Sequence, residues 1–324
     1  MQNRFTAGTT PVWHRIGQST AGAASSSSAL HMAQLDWEVQ AQPLWANSGG
    51  SMQAVRSHKA IVRCDTEQVI GVVGRRWTPV QNAEAFTWLD ELVGTGAVRH
   101  EYAGSTRSGA LVWALVRLPA ELRIDGTDDV VHPYIMVCNS HDGTIAFRAV
   151  NTSIRVVCSN AITVALRHAG PDRVTVKHTQ SVHERLADAQ EVLGASVQRH
   201  SRFQQQMNAL AGRRFTGRDF EAYLDGVLGP NRKSLEAPEG EPTAARERIT
   251  ANFDHELQLL RGIEHSAWAA FNAVSQWVDW ERPSRGGDGR TGDERRFQSA
   301  LLGAGAELKR KAFALALSMT TGGR

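Results

Sequence analysis

Two acid-poor, arginine-rich stretches are the strongest chemical signal in the sequence. Residues 143–183 contain four arginines and Lys177 against one acidic residue, and residues 197–218 contain five arginines and no acidic residue. A guanidinium group forms paired hydrogen bonds with phosphate and stacks on bases. Such stretches therefore favour a surface that attracts nucleic acid. The alternative is that these charges only solvate helix and sheet faces.

A basic and aromatic tripeptide, Arg75-Arg76-Trp77, lies between a predicted strand and a predicted helix. A loop of this composition can bind a phosphate and stack a base on its indole ring. Arg107 lies at the tip of a predicted hairpin. The predicted nucleic-acid-binding residues are Arg75, Arg76, Trp77, Arg107, Arg148, Arg155, Asn160 and Lys177.

A cysteine, a histidine and an aspartate lie close together in the run 138–142, with further cysteine and histidine residues elsewhere. Thiolate and imidazole groups are the ligands that zinc prefers. The spacing matches no established ligand pattern, so a buried cysteine and a His-Asp-Gly hairpin turn are the simpler interpretation. We therefore predict no metal and no cofactor. The alternative metal set is Cys138, His141, Asp142 and His178.

The sequence lacks the common catalytic signatures. It has no phosphate-binding Gly-Lys-Ser/Thr loop, no serine between spaced glycines and no His-Glu-x-x-His motif. Gly71 and Gly74 follow a predicted strand, but the third glycine and the ribose-binding acid of a dinucleotide site are missing. These observations favour a binding protein over an enzyme.

The composition of the 324 residues is that of a folded protein, with 41% hydrophobic and 21% charged residues and a net charge of +3. No run of eighteen apolar residues predicts a membrane-spanning helix, and the first residues do not resemble a secretory signal. Three cysteines are too few for a disulfide framework. We therefore expect a cytoplasmic protein that does not contact a membrane.

The elements that must position these residues are predicted to be hairpins followed by helices. Hairpins are predicted from residues 60–64 with 69–73, 97–102 with 110–118, and 134–138 with 144–150. Asn82 is the predicted N-cap of a helix over residues 83–93. A long amphipathic helix over residues 181–211 offers a face for homo-oligomerisation.

The predicted fold class is therefore α+β, with an antiparallel sheet of hairpins, a packed helix and a mostly helical C-terminal half. Three regions are predicted: an N-terminal arm with a short helix and strand (1–54), a β-rich core (55–180) and a helical region (181–324). A Pro/Gly-rich linker is predicted near residues 229–243.

Several segments resemble the phage/plasmid-like protein family, a domain of unknown function. The most specific is the run 74–86, Gly-Arg-Arg-Trp-Thr-Pro-Val-Gln-Asn-Ala-Glu-Ala-Phe. Further matching segments are residues 10–17, 35–39, 139–143, 155–160, 268–274 and 308–312. The resemblance covers nearly the whole chain; it departs at Trp77, where tyrosine is usual, and at Ala161-Ile162, where Thr-Leu is usual. It implies a gene of phages, plasmids and integrated elements, but no mechanism.

The first functional hypothesis is a single-stranded DNA-binding protein that promotes annealing or protects replication and recombination intermediates. The predicted order of elements is loosely similar to that of phage single-strand annealing proteins, which often form rings. One alternative is a metal-dependent hydrolase acting on nucleic acid or nucleotides. Another is a non-enzymatic interaction or host-modulating protein that docks through its helical half.

Overall fold

The computed structural model describes residues 12–94, 96, 98–155, 161–162, 173–184, 186, 200–230, 242–259, 262–283 and 290–321. Antiparallel sheets built from hairpins occupy the N-terminal half, and the C-terminal half is mostly helical. The predicted α+β fold class is therefore confirmed. No helix in the described part of the chain is long and apolar enough to cross a membrane.

The strands form two antiparallel sheets. They are β1 (Gly17–Ser19), β2 (Val39–Ser48), β3 (Ser51–Arg63), β4 (Val69–Gly74), β5 (Arg99–Thr106), β6 (Leu111–Arg117), β7 (Leu122–Arg123), β8 (Val130–Ser140), β9 (Phe147–Arg155), β10 (Ala161–Ile162) and β11 (Arg173–Val176). The large sheet has the order β1-β5-β6-β8-β9-β10, with β7 paired to β8 and β11 paired to β9; the small sheet has the order β2-β3-β4. All three predicted hairpins are confirmed by the pairs β3–β4, β5–β6 and β8–β9.

The small sheet contains a ribbon that the sequence analysis did not predict. β2 and β3 join through Gly49 and Gly50, whose φ angles of 60° and 83° lie in the left-handed region that favours glycine. The pairing between the two strands shifts register between Pro43 and Trp45. The predicted region boundary at residue 54 falls inside β3, which continues to Arg63.

The helices in the first half are short. They are α1 (Val12–Ile16), α2 (Ser26–Met32), α3 (Asn82–Thr87) and α4 (Leu89–Gly94). The prediction of Asn82 as an N-cap is wrong by one residue, because Gln81 is the N-cap and forms a capping box with Glu84. The Asn82 side chain instead donates to the carbonyl oxygens of Leu35 and Trp37, at 2.9 Å and 3.3 Å.

The remaining helices form the second half. They are α5 (His200–Gly212), α6 (Gly217–Leu228), α7 (Pro242–Leu259), α8 (Ala267–Gln276), α9 (Gly292–Leu302) and α10 (Ala304–Thr321), with a π-helical segment (Trp277–Glu281) directly after α8. Every residue of α8 from Ala267 to Ser275 is buried, so α8 is the centre of this half. Of the predicted helix over residues 181–211, residues 185 and 187–199 lie outside the described part.

The large sheet is buried on both faces, and side chains alternate between them. Val112, Ala114 and Val116 of β6 pack in a core with α3 and the small sheet. Leu111, Trp113 and Leu115 face the other side, where the Trp113 ring lies 4.7 Å from the ring of Phe297 in α9. The position of any residue along these strands therefore decides which side of the molecule it reaches.

Candidate nucleic-acid interface

The loop after β4 presents two arginines to solvent. Its backbone is held by hydrogen bonds from the Arg75 amide to the Ser57 carbonyl (3.0 Å) and from the Trp77 amide to the Gly74 carbonyl (2.9 Å). Arg75 and Arg76 are both exposed, and Trp77 is half-buried. The turn at Gly74 therefore ends β4 and holds the three side chains beside strand β3.

The segment after β11 closes the other side of this loop. The Thr78 amide donates to the His178 carbonyl (3.1 Å), and the His178 Nδ1 lies 3.1 Å from the Thr78 carbonyl oxygen. The rings of Trp77 and His178 stack with their centroids 4.7 Å apart and their planes 11° apart. Residues 77–78 and His178, a hundred positions apart, are thus held together by hydrogen bonds and a ring stack. Lys177, next to His178, is exposed.

These two segments line a pocket that is open to solvent. Its lining is Lys59, Arg75, Arg76, Trp77, Thr78, His178, Thr179, Gln180 and Ser181. None of these described lining residues is acidic, so three cationic side chains lie beside an indole ring. This combination suits a ligand that carries both phosphate groups and flat rings.

The small sheet beside the pocket contains few acidic residues. Between residues 39 and 83 the chain contains only two acidic residues, Asp65 and Glu67. Both lie in the turn that precedes β4, whereas the pocket lies after β4, roughly 20 Å away along the six-residue strand. Arg63 pairs with Asp65 at 2.6 Å, and this hydrogen bond lowers the pKa of Asp65.

Arg155 was predicted to bind nucleic acid, but the structure buries it in an ion pair. Its side chain is fully buried, and its Nε lies 2.8 Å and 2.9 Å from the two carboxylate oxygens of Asp129. The Trp268 Nε1 donates to the same carboxylate at 2.8 Å. Arg155 therefore joins the sheet to α8 and cannot reach a phosphate in solvent.

Two further predicted arginines lie away from the pocket lining. Arg107 forms an ion pair with Asp142 (2.5 Å) and donates to the Thr144 hydroxyl at 2.9 Å, so its charge is balanced. Arg148 shares the α9 face of the large sheet with its register partner Cys138, and its Nη1 lies 3.4 Å from the Leu302 carbonyl oxygen. Asn160 lies outside the described residues. Of the predicted nucleic-acid-binding residues, Arg75, Arg76 and Trp77 therefore line the pocket, and Arg107, Arg148 and Arg155 do not.

The alternative metal set is not assembled. Cys138 lies in the core on the α9 face of the sheet, where burial raises the pKa of its thiol to about 12. His141 is bound to Asn82 at 2.9 Å, Asp142 pairs with Arg107, and His178 stacks on Trp77. No group of three or more histidine, cysteine, aspartate or glutamate residues in the described part of the chain is arranged to hold a metal ion.

Sequence reasoning missed Lys59 and the ribbon that carries it. Lys59 pairs with Val73 across β3 and β4, which brings it to the pocket although it lies sixteen positions before Arg75. The same ribbon exposes Arg56 and His58. The signal that could have found them is the absence of acidic residues from 39 to 63.

A family model described as a domain of unknown function, DUF932, matches residues 69–301. The chain belongs to the DUF932 family. The match begins at the first residue of β4 and includes Arg75, Arg76, Trp77 and His178, but not Lys59. No curated protein and no solved structure matches the chain. The family match therefore indicates no activity.

Proposed function

We propose that the pocket after β4 binds single-stranded nucleic acid, with single-stranded DNA as the first candidate. The observation that carries the proposal is the lining itself: Lys59, Arg75 and Arg76 beside the Trp77–His178 stack, with no acidic residue among them. Phosphate contacts provide affinity for any sequence, and an aromatic ring provides a stacking surface for an unpaired base. A duplex keeps its bases stacked on each other, so the indole ring favours a single strand.

The wider setting is part of the same proposal. We propose that the protein promotes strand annealing or protects intermediates of replication or recombination, as a homo-oligomer in the cytoplasm of a bacterial host. The resemblance of the run 74–86 to the phage/plasmid-like proteins supports a phage or plasmid origin. Annealing requires charge neutralisation along the strand and no cofactor, which suits a pocket of arginine and lysine side chains.

Fluorescence anisotropy with a labelled single strand and its duplex, at about 50 mM and about 200 mM salt, tests the proposal. The single strand is expected to bind more tightly than the duplex, and the Arg75→Gln/Arg76→Gln variant to bind at least ~10-fold more weakly at low salt. Its plot of log affinity against log salt should lose about 1.4 units of slope, about 0.7 for each phosphate contact with a single strand.

The matched control is Arg99→Gln/Arg123→Gln, which removes the same charge from two exposed arginines in β5 and β7, outside the pocket lining and outside both arginine-rich stretches. Its affinity for the single strand is expected to stay close to that of the unchanged protein. Absence of binding at low salt, or equal losses in the two double variants, would refute binding through this pocket.

A further inference from the structure

The outer part of the β2–β3 ribbon projects into solvent as a two-stranded arm. Every residue of this arm, residues 45–54, is exposed, whereas residues 60–62 of β3 are buried. Strand β4 pairs with β3 over residues 58–62, so its pairing ends before the arm begins. Both faces of the hairpin are therefore open to solvent over about 17 Å, the length of five residues in a strand.

The arm is uncharged, and the residues directly after it are basic. No acidic residue lies between residues 39 and 63, and Arg56 and Lys59 follow the arm on β3. The arm itself exposes amide and hydroxyl side chains, those of Asn47, Ser48, Ser51 and Gln53. A polyanion is therefore attracted to the base of the arm, and the arm can lie between phosphate groups without burying a charge.

A hairpin that is exposed on both faces fits a groove better than a flat surface, which would cover only one face. Its two backbones lie about 5 Å apart, and the major groove of a DNA duplex, about 12 Å wide and about 8.5 Å deep, admits a two-stranded ribbon. Asn47 pairs with Met52, and Gln53 pairs with Ala46, so the two amides lie on opposite faces of the arm. Amide groups form hydrogen bonds with base edges.

We propose that the arm enters the major groove of duplex DNA, so that the preferred ligand is a junction between a duplex and a single strand. Lys59 belongs both to the ribbon and to the lining of the pocket after β4. It lies five residues after the arm, at most about 17 Å along the strand. One molecule therefore holds the duplex with its arm and the emerging strand in its pocket. The inference rests on the proposed single-strand binding and names the form of DNA that the protein prefers.

Fluorescence anisotropy with labelled junctions, carrying either a 5′ or a 3′ overhang, tests the inference. Each has a duplex of about 12 base pairs, just over one helical turn, and an overhang of about 8 nucleotides. We expect at least one junction to bind at least ~10-fold more tightly than the overhang strand alone or the blunt duplex, because both contacts form within one complex.

A variant with a shortened arm separates the two contacts. Replacement of residues 46–53 by Asn-Gly keeps the Trp45–Ala54 pair as the flanks of a two-residue hairpin turn. This variant should bind the overhang strand like the unchanged protein. It should bind the junction no more tightly than that strand.

The variant Ser51→Asp/Gln53→Glu keeps the arm at full length and places two carboxylates on it. Both residues are exposed, so the fold should be unaffected. Because phosphates on both sides of the groove repel carboxylates, its affinity for the junction should fall at least ~10-fold at about 0.1 M salt, whereas screening leaves its affinity for the overhang strand almost unchanged. Gln18→Glu/Ser19→Asp makes the same changes at two exposed residues of β1 and should alter neither affinity.

Equal affinity of the unchanged protein for the junctions and the overhang strand would overturn the inference and leave single-strand binding in the pocket intact. A junction affinity that survives both arm variants would overturn it in the same way. If the overhang strand does not bind, the proposed function fails and the inference fails with it. If sedimentation shows a dimer that is lost when the arm is shortened, the arm binds a second copy of the chain, which also overturns the inference.

Discussion

At the scale of single residues, the histidines near the pocket after β4 are buried in an uncharged form. His141 is completely inaccessible to solvent, lies 5.4 Å from the Trp37 ring between centroids, and contacts Asn82 through Nε2. Burial lowers its pKa to about 4, with a smaller contribution from His178. Burial also lowers the pKa of His178. Near neutral pH the positive charge of the pocket therefore comes from arginine and lysine.

The buried histidines predict a loss of stability in mild acid. Between the ordinary histidine pKa of 6.5 and about 4, the unfolded chain binds a proton at residue 141 and the folded chain does not. The free energy of unfolding therefore falls as the pH falls through this window, by about 2 kcal/mol at about pH 5 for His141 alone. Urea denaturation at about pH 7 and about pH 5 measures the difference.

The control for this prediction is His141→Gln, which removes the titrating group. Its free energy of unfolding should depend less on pH over the same interval, whatever its absolute value. The carboxylates whose pKa values are lowered, such as Asp65, stay ionised over this interval and do not contribute to the change. An equal pH dependence in the two proteins would contradict the assignment to His141.

At the scale of secondary-structure elements, β4 packs closely against the turn between β8 and β9. A Cβ atom at Gly71 would lie 2.6 Å from both the Asp142 Cα and the His141 carbonyl oxygen. Both neighbours are backbone atoms, so they cannot move aside as a flexible side chain would. Strand β4, which leads into the arginine loop, therefore depends on a glycine at this position.

Gly71→Ala is expected to lower the free energy of unfolding by about 1–3 kcal/mol, because the two backbones must separate. Gly74→Ala is the matched control in the same strand, since a Cβ atom there meets no atom within 4 Å. Chemical denaturation of the two variants compares them. Equal losses of stability at the two positions would show that the close approach of the 141–142 backbone does not require a glycine at residue 71.

The β2–β3 ribbon exposes large apolar side chains that its neighbours do not cover. Trp45 is 54% exposed and Met52 is 63% exposed. The two share one face of the ribbon, because Trp45 pairs with Ala54 and Asn47 pairs with Met52. The ribbon also contains no acidic residue and carries Lys59 at its base. We therefore expect it to extend the nucleic-acid surface beyond the pocket.

Trp45→Ser is expected to change the free energy of unfolding by no more than about 0.5 kcal/mol, because the side chain is exposed. Its affinity for a single strand is expected to fall by about 1 kcal/mol or more, the contribution of one base stacked on an aromatic ring. Met52→Ser, on the same face without an aromatic ring, is the control for stacking. An unchanged affinity in the Trp45 variant would limit binding to the pocket.

At the scale of the whole molecule, a buried carboxylate joins the sheet and the helical half. Asp129 accepts from Arg155 of β9 and from Trp268 of α8, and both its side chain and that of Arg155 are fully inaccessible. Removing one partner of a buried ion pair leaves the other charge in an apolar setting. The stability of the two halves is therefore coupled through this contact.

Asp129→Asn is expected to lower the free energy of unfolding by about 3–5 kcal/mol. Asp128→Asn changes the same charge at the exposed neighbouring residue and should alter stability by no more than about 0.5 kcal/mol. Chemical denaturation of the Asp129 and Asp128 variants, monitored by near-ultraviolet circular dichroism, measures the difference. This signal reports on buried tryptophans such as Trp268. Similar small effects would mean that the ion pair contributes little to joining the halves.

The hairpins and the arginine loop could be predicted from sequence because they depend on short-range chemistry. Alternating apolar residues and turn residues select β3–β4, β5–β6 and β8–β9, and Arg75-Arg76-Trp77 follows directly from where β4 ends. The ribbon was missed although its Gly49-Gly50 turn was visible, since pairing along polar, exposed strands leaves little alternation to detect.

Which arginines meet solvent was decided by packing between distant segments. Arg155 and Arg75 are alike in sequence, but Arg155 lies where α8 packs on the sheet, and Arg75 is exposed in its loop. Lys59 and His178 reach the pocket through strand register and a contact across a hundred residues. Local sequence determines turns and strands through hydrogen bonds between near neighbours, whereas burial and charge pairing depend on which surfaces meet in the folded chain.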